Sequence, residues 1–135
     1  MKMSILTSAV VIVLLSLNAD ATKYEFIAKD SSVETKICVL AGSNNKSELR
    51  QLIRKNKNES SHFSSRAIAN NVTCNDMVMA HFAHKYDALD TFKYLNNFTK
   101  GENKIPTTSI EIQDITAVSN NKNEETKIIY VSSSN

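Results

Sequence analysis

Residues 72–95 read VTCNDMVMAHFAHKYDALDTFKYL, and the fold turns on how this stretch is parsed. Thr73, Cys74, Asn75 and Asp76 carry side chains able to accept hydrogen bonds from the free N–H groups of a first helical turn, so a helix start is expected there. Behind them Val78, Met79, Phe82, Ala83 and Tyr86 recur at three- and four-residue steps, one stripe on a helix. Asp87 reads as a second N-cap, with Asp90 three residues on as a weak capping box. The next stripe is Ala88, Leu89, Phe92, Leu95 and Phe98, and Gly101 and Pro106 close the segment. Almost no loop separates the two stripes, which predicts a tight antiparallel helix pair.

Far upstream, the first residues read as an export signal. Lys2 gives a positive start, Ile5 to Leu17 an apolar run, and Ala19-Asp20-Ala21 a small-x-small cleavage site, so residues 1–21 are read as a signal peptide cut near Ala21. A membrane anchor is the alternative, but thirteen apolar-run residues fall short of the roughly twenty that span a bilayer. The remaining 114 residues make one domain and carry fifteen basic and thirteen acidic side chains. That balance gives no argument for nucleic acid, which needs a concentrated basic face.

Cys38 and Cys74 are the two cysteines, and export would place them in an oxidising compartment. A bridge between them closes a loop of about 37 residues, contributing on the order of 4 kcal/mol. That is large against a usual domain margin of roughly 5–15 kcal/mol. Buried free thiols and intermolecular bridges are the rival readings; the even count favours the internal bridge.

Outward from the central stretch, Tyr24–Ala28 reads as a short strand or an arm on the core. A helix is expected from Ser31 or Ser32, with Val33, Ile37, Leu40 and Ala41 on one face, Cys38 on its flank, and Gly42 and Ser43 as its stop. Asn45 and Glu48 form a capping box for another helix, buried through Leu49, Leu52 and Ile53. Its outer row of Lys46, Arg50, Arg54, Lys55 and Lys57 is either a solvated face, the simpler reading, or a surface for an acidic partner. Between the helix pairs, Phe63, Ile68 and Val72 are expected to dock on the core, with a short helix around Ser64 to Ala69. Leu40-Ala41, Leu49 and Leu52-Ile53 are echoed by Phe82-Ala83, Phe92 and Leu95. The expected fold is therefore mainly α: two stacked helical hairpins, weakly ankyrin-like, though the Thr-Pro-Leu-His start of that repeat is missing.

Residues 22–101 are read as the helical domain and 102–135 as a C-terminal extension. In the extension Ser109–Ile115 and Lys127–Val131 are β-prone with an Asn-rich turn between them. A β-hairpin and a disordered polar tail both fit. Two strands alone are marginal in water, so a hairpin would need the domain or Tyr24–Ile27 as support.

Glu25–Asp30, Thr35–Val39, Val72–Asn75 and Phe82-Ala83 together resemble a bacterial family, domain of unknown function 3718, over about Glu25 to Asn97. The resemblance implies a small exported protein of gammaproteobacterial type, with a Cys in the first helix and a Cys-Asn-Gly motif before a Phe-Ala helix. It implies no activity and no site residues. Here Asp76 replaces that Gly, so any special backbone angle there falls to an Asp.

Chemistry is sparse. His81 and His84, one helical step of three apart, are the candidate metal pair, with His62 as a distant third. No third ligand is fixed by the sequence, since Cys74 lies seven residues back, about 10 Å along a helix, and a structural zinc takes four. Asp76, Asp87 and Asp90 read better as caps than as paired acid–base carboxylates. Neither a Gly-x-Ser-x-Gly elbow nor a Gly-rich phosphate cradle occurs. The sequons at Asn58, Asn71 and Asn97 read as accidents of composition, since fifteen of 135 residues are Asn. The expectation is a monomeric, non-catalytic periplasmic interaction module without a cofactor, meeting an unknown protein partner and neither nucleic acid nor membrane once cleaved. The alternatives are a metal-binding protein using His81 and His84, and a small enzyme or enzyme inhibitor.

Overall fold

The computed structural model describes residues 22–106 and 125–135. The predicted signal peptide and the Ser109–Ile115 half of the predicted hairpin lie outside the described residues. The chain runs β1 (Lys23–Ala28), α1 (Val33–Gly42), α2 (Lys46–Lys57), α3 (Ser65–Asn71), β2 (Thr73–Cys74), β3 (Met77–Val78), α4 (Met79–Lys85), α5 (Leu89–Phe98), β4 (Thr126–Val131) and β5 (Ser133–Ser134). Single 3₁₀ turns lie at Ser61–Phe63 and Gly101–Asn103. Among the described residues the architecture is mainly α, with two small sheets.

Local chemistry starts the first three helices. Ser32 accepts a hydrogen bond from Thr35 N–H (3.2 Å), Asn45 from Glu48 N–H (3.2 Å) and Ser64 from Ala67 N–H (3.1 Å). The core gathers Ile37 and Ala41 of α1, Leu49 and Ile53 of α2, Ile68 of α3, Met79, Phe82 and Ala83 of α4, and Phe92 and Leu95 of α5. Burying each of the larger side chains contributes roughly 1.5–3 kcal/mol. Phe63 and Val72 pack against the same core.

Two expectations about helix ends need correction. Thr73–Asp76 starts no helix: Asn75 and Asp76 take φ of 45° and 62°. They form the two-residue turn of a hairpin, Thr73 opposite Val78 and Cys74 opposite Met77. An N-cap needs extended backbone, and two successive left-handed residues suit a type I′ turn instead. The helix begins later, at Met79, with no side-chain cap.

Asp87 is also no N-cap. Its φ is 56°, and it follows α4 as the left-handed residue of a Schellman motif: Ala88 N–H donates to Ala83 O (2.9 Å) and Asp87 N–H to His84 O (3.1 Å). Helix α1 does end where the sequence placed its stop, with Gly42 its last residue and Ser43 its C-cap, but the left-handed position falls on Asn44 (φ 57°), with Asn45 N–H donating to Leu40 O (3.1 Å). Gly42 serves close approach: a Cβ there would lie 2.6 Å from Phe26 Cε1 and 2.8 Å from Phe82 Cε1.

Phe26 is the reason. Strand β1 lays Tyr24 and Phe26 against Phe82 and Tyr86 of α4, with ring centroids 5.0–6.0 Å apart across the two elements. Strand β4 runs parallel to β1, from Lys23 opposite Thr126 to Ala28 opposite Val131. The support that a marginal β-prone segment requires thus comes from β1, and Val131 is fully buried in the common core. Residues 126–131 are strand rather than polar tail.

Candidate functional site

Cys38 and Cys74 form a disulfide, their Cα atoms 5.6 Å apart, within the reach that a bridge demands. Both are fully buried, and the bond ties α1 to the β2–β3 hairpin. From that hairpin Asn75 grips the chain's C-terminal segment. Its backbone N–H donates to Ser132 O (2.9 Å), its Nδ2 to Tyr130 O (2.9 Å), and its Oδ1 accepts from Ser132 N–H (2.9 Å). At Ser132 the chain leaves β1 and joins β2, pairing Thr73 with Ser134 and Cys74 with Ser133.

A second anchor lies at buried Thr35. Its Oγ1 donates to Asp30 Oδ2 (2.9 Å) and accepts from Ser133 N–H (3.1 Å). The hydrogen bonds from Ser32, then that from Thr35, hold the Asp30 carboxyl below its ordinary pKa by stabilising its charged form.

These anchors fix which face of β4 looks outward. Side chains alternate along a strand, so Phe26, Ile129 and Val131 turn inward. The opposite face carries Ile27 (37 % exposed), Ile128 (52 %) and Tyr130 (57 %), the exposed large apolar side chains among the described residues. Ile27 stands directly opposite Tyr130, and Ile128 opposite Glu25. Three apolar side chains therefore share one surface of one two-stranded sheet, edged by Lys23, Glu25 and Thr126. Sequence reasoning missed this face. The signal was present in Lys127–Val131: apolar residues at successive positions must face both sides of a strand.

The predicted metal pair is not brought together as a site. His81 Nε2 lies 2.8 Å from Asn103 O, and the His84 ring meets Phe92 edge-on at 4.9 Å. His62 instead lines, with Glu34, Ser60 and Phe63, a cavity of about 340 Å³. Among the described residues no group of three or more His, Cys, Asp or Glu could hold a metal ion. Asp76 and Asp87 are exposed turn residues, and Asp90 Oδ2 accepts from Asn44 Nδ2 (3.3 Å). No described helix is long and apolar enough to cross a membrane.

A family model described as "Protein of unknown function (DUF3718)" matches residues 37–117. The chain belongs to this family. The matched stretch takes in both cysteines and the hairpin, begins after the Glu25–Asp30 segment, and continues past Asn97 and Pro106, beyond the motifs that carry the resemblance. No curated protein and no solved structure matches the chain.

Proposed function

We propose that this DUF3718 member is an exported protein whose leader, residues 1–21, is removed, and whose mature chain works in the periplasm as a monomeric, non-catalytic protein-binding module. In this reading α1–α2 and α4–α5 act as two stacked helical hairpins, weakly like the helix pairs of ankyrin units, and carry the sheet as a rigid platform. The observation that supports it is the outward face of Ile27, Ile128 and Tyr130. Exposed apolar side chains gathered on a single surface mark association sites more often than scattered ones do. The buried disulfide fits an oxidising compartment.

The test is a photo-reactive phenylalanine analogue at position 128 in the full chain, expressed in its native host. The expected result is a discrete cross-linked protein adduct in the periplasmic fraction, lost in the Ile27→Ser/Tyr130→Ser variant, with the mature N-terminus at Thr22. Retention in the cytoplasm, or no adduct at this position, would remove the reading.

A further inference from the structure

The positive charge of the described chain is not spread evenly. Residues 46–66 hold six basic side chains (Lys46, Arg50, Arg54, Lys55, Lys57, Arg66) against Glu48 and Glu59. The other described residues carry eight basic and eight acidic groups. Four of the six form one exposed row on α2, Lys46, Arg50, Arg54 and Lys57, at steps of four, four and three. None of the four makes an ion pair among the described residues. Like charges four apart on a helix repel. The C-terminal turn accounts for Arg54 and Lys57, because cations are favoured at that end of the helix dipole. It does not account for Lys46, which begins the helix at the end where a cation is disfavoured, nor for Arg50 in its middle.

We propose that this row is a docking surface for an acidic helix on a partner protein, an inference that rests on the interaction-module reading. The repeat selects the partner. Cations four residues apart recur about every 6 Å along α2, the same repeat as carboxylates four apart on another helix. A lipid surface fits less well, since Leu49 and Ile53 of α2 are spent in the core and only partly buried Leu52 is left on the helix, too little apolar surface for the helix to insert. Single-stranded nucleic acid needs open aromatic faces. Tyr94, the ring beside the row, is covered by Arg50 at 5.8 Å and bound through its hydroxyl to Ser65 at 2.6 Å.

The probe is a fluorescent Ala-based helical peptide with Glu at every fourth position, titrated by anisotropy into the full exported chain. Its controls are an isomer with the same Glu residues clustered at one end, a thymidine oligonucleotide, and phosphatidylglycerol vesicles. Saturable binding is expected, preferring the regular peptide and weakening about tenfold or more in Lys46→Glu/Arg54→Glu and at raised salt. Lys46→Gln/Arg54→Gln, which removes the charges without reversing them, should fall between, and melting curves check that both variants fold. Absence of saturable binding, equal binding of the clustered isomer, indifference to the substitutions, or tighter binding of oligonucleotide or vesicle overturns the proposal. An adduct at position 128 that survives such a failure shows that the module reading stands and only the α2 surface falls.

Discussion

The junction between α1 and α2 and the junction between α4 and α5 solve one problem with the same backbone and different side chains. Each helix ends in a left-handed residue that is not Gly, Asn44 in one and Asp87 in the other, and each is closed by a hydrogen bond reaching five residues back. The following helices then differ. Helix α2 is capped by its neighbour Asn45. Helix α5 has no cap of its own, and Asn44 supplies one from the first junction: its Oδ1 accepts from Asp90 N–H (2.8 Å) and Thr91 N–H (3.2 Å). One asparagine thus ends α1 and starts α5. Buried Thr91 adds a bond from its Oγ1 to Ala41 O (2.6 Å) beside it. Two junctions alike in backbone can therefore be unlike in dependence: the first stands alone and the second leans on it.

The largest way to disturb the comparison is to cut the covalent tie between the halves. Cys38→Ala/Cys74→Ala should lower stability by about 4 kcal/mol, loosening both junctions together, as read by urea denaturation of the oxidised and variant proteins. Next comes Asn44→Ala, which puts an alanine in a left-handed position and uncaps α5, an expected loss of about 2–3 kcal/mol. Hydrogen exchange should show the amides of Asp90 and Thr91 losing protection although the substitution lies outside α5. Asn45→Ala removes a local cap and should cost about 1 kcal/mol, with lost protection confined to the start of α2. If exchange at Asp90 and Thr91 responded equally to both substitutions, the asymmetry between the junctions would be wrong.

What could be read beforehand follows the range of the interactions. Ser32, Asn45 and Ser64 cap helices within three residues, so side-chain identity announces them, as the 3.6-residue period announces the buried faces of α2, α4 and α5. Cys38 and Cys74 were legible because two cysteines leave one internal pairing. Asn75-Asp76 was misread because Asn and Asp serve both N-caps and left-handed turns, and no Gly marked the choice. Asn44, Asn70 and Asn75 each bracket backbone groups from a distant segment; Asn70, for one, binds both Phe98 O (2.8 Å) and Lys100 N–H (2.9 Å). An excess of Asn says nothing about which segment each one holds. Apolar residues at successive positions of Lys127–Val131 did signal an outward apolar face, but its pairing with Ile27 was hidden for the same reason, since β1 and β4 meet across about a hundred residues.

The finest test applies one substitution at both junctions. Gly adopts a positive φ without the strain that a Cβ brings, while loosening the unfolded chain. At Asp87 the side chain is exposed and makes no hydrogen bond among the described residues, so Asp87→Gly relieves the backbone with no such bond to lose; a gain of about 0.5–1 kcal/mol is expected. At Asn44 the same relief is outweighed by the lost cap of α5, so Asn44→Gly should destabilise by a similar amount, about 0.5–1 kcal/mol. The two φ values differ by one degree, so backbone strain alone predicts the same sign at both positions. Opposite shifts in the urea midpoint assign the difference to the amide of Asn44; equal shifts would mean that its bonds to Asp90 and Thr91 contribute nothing to holding α5.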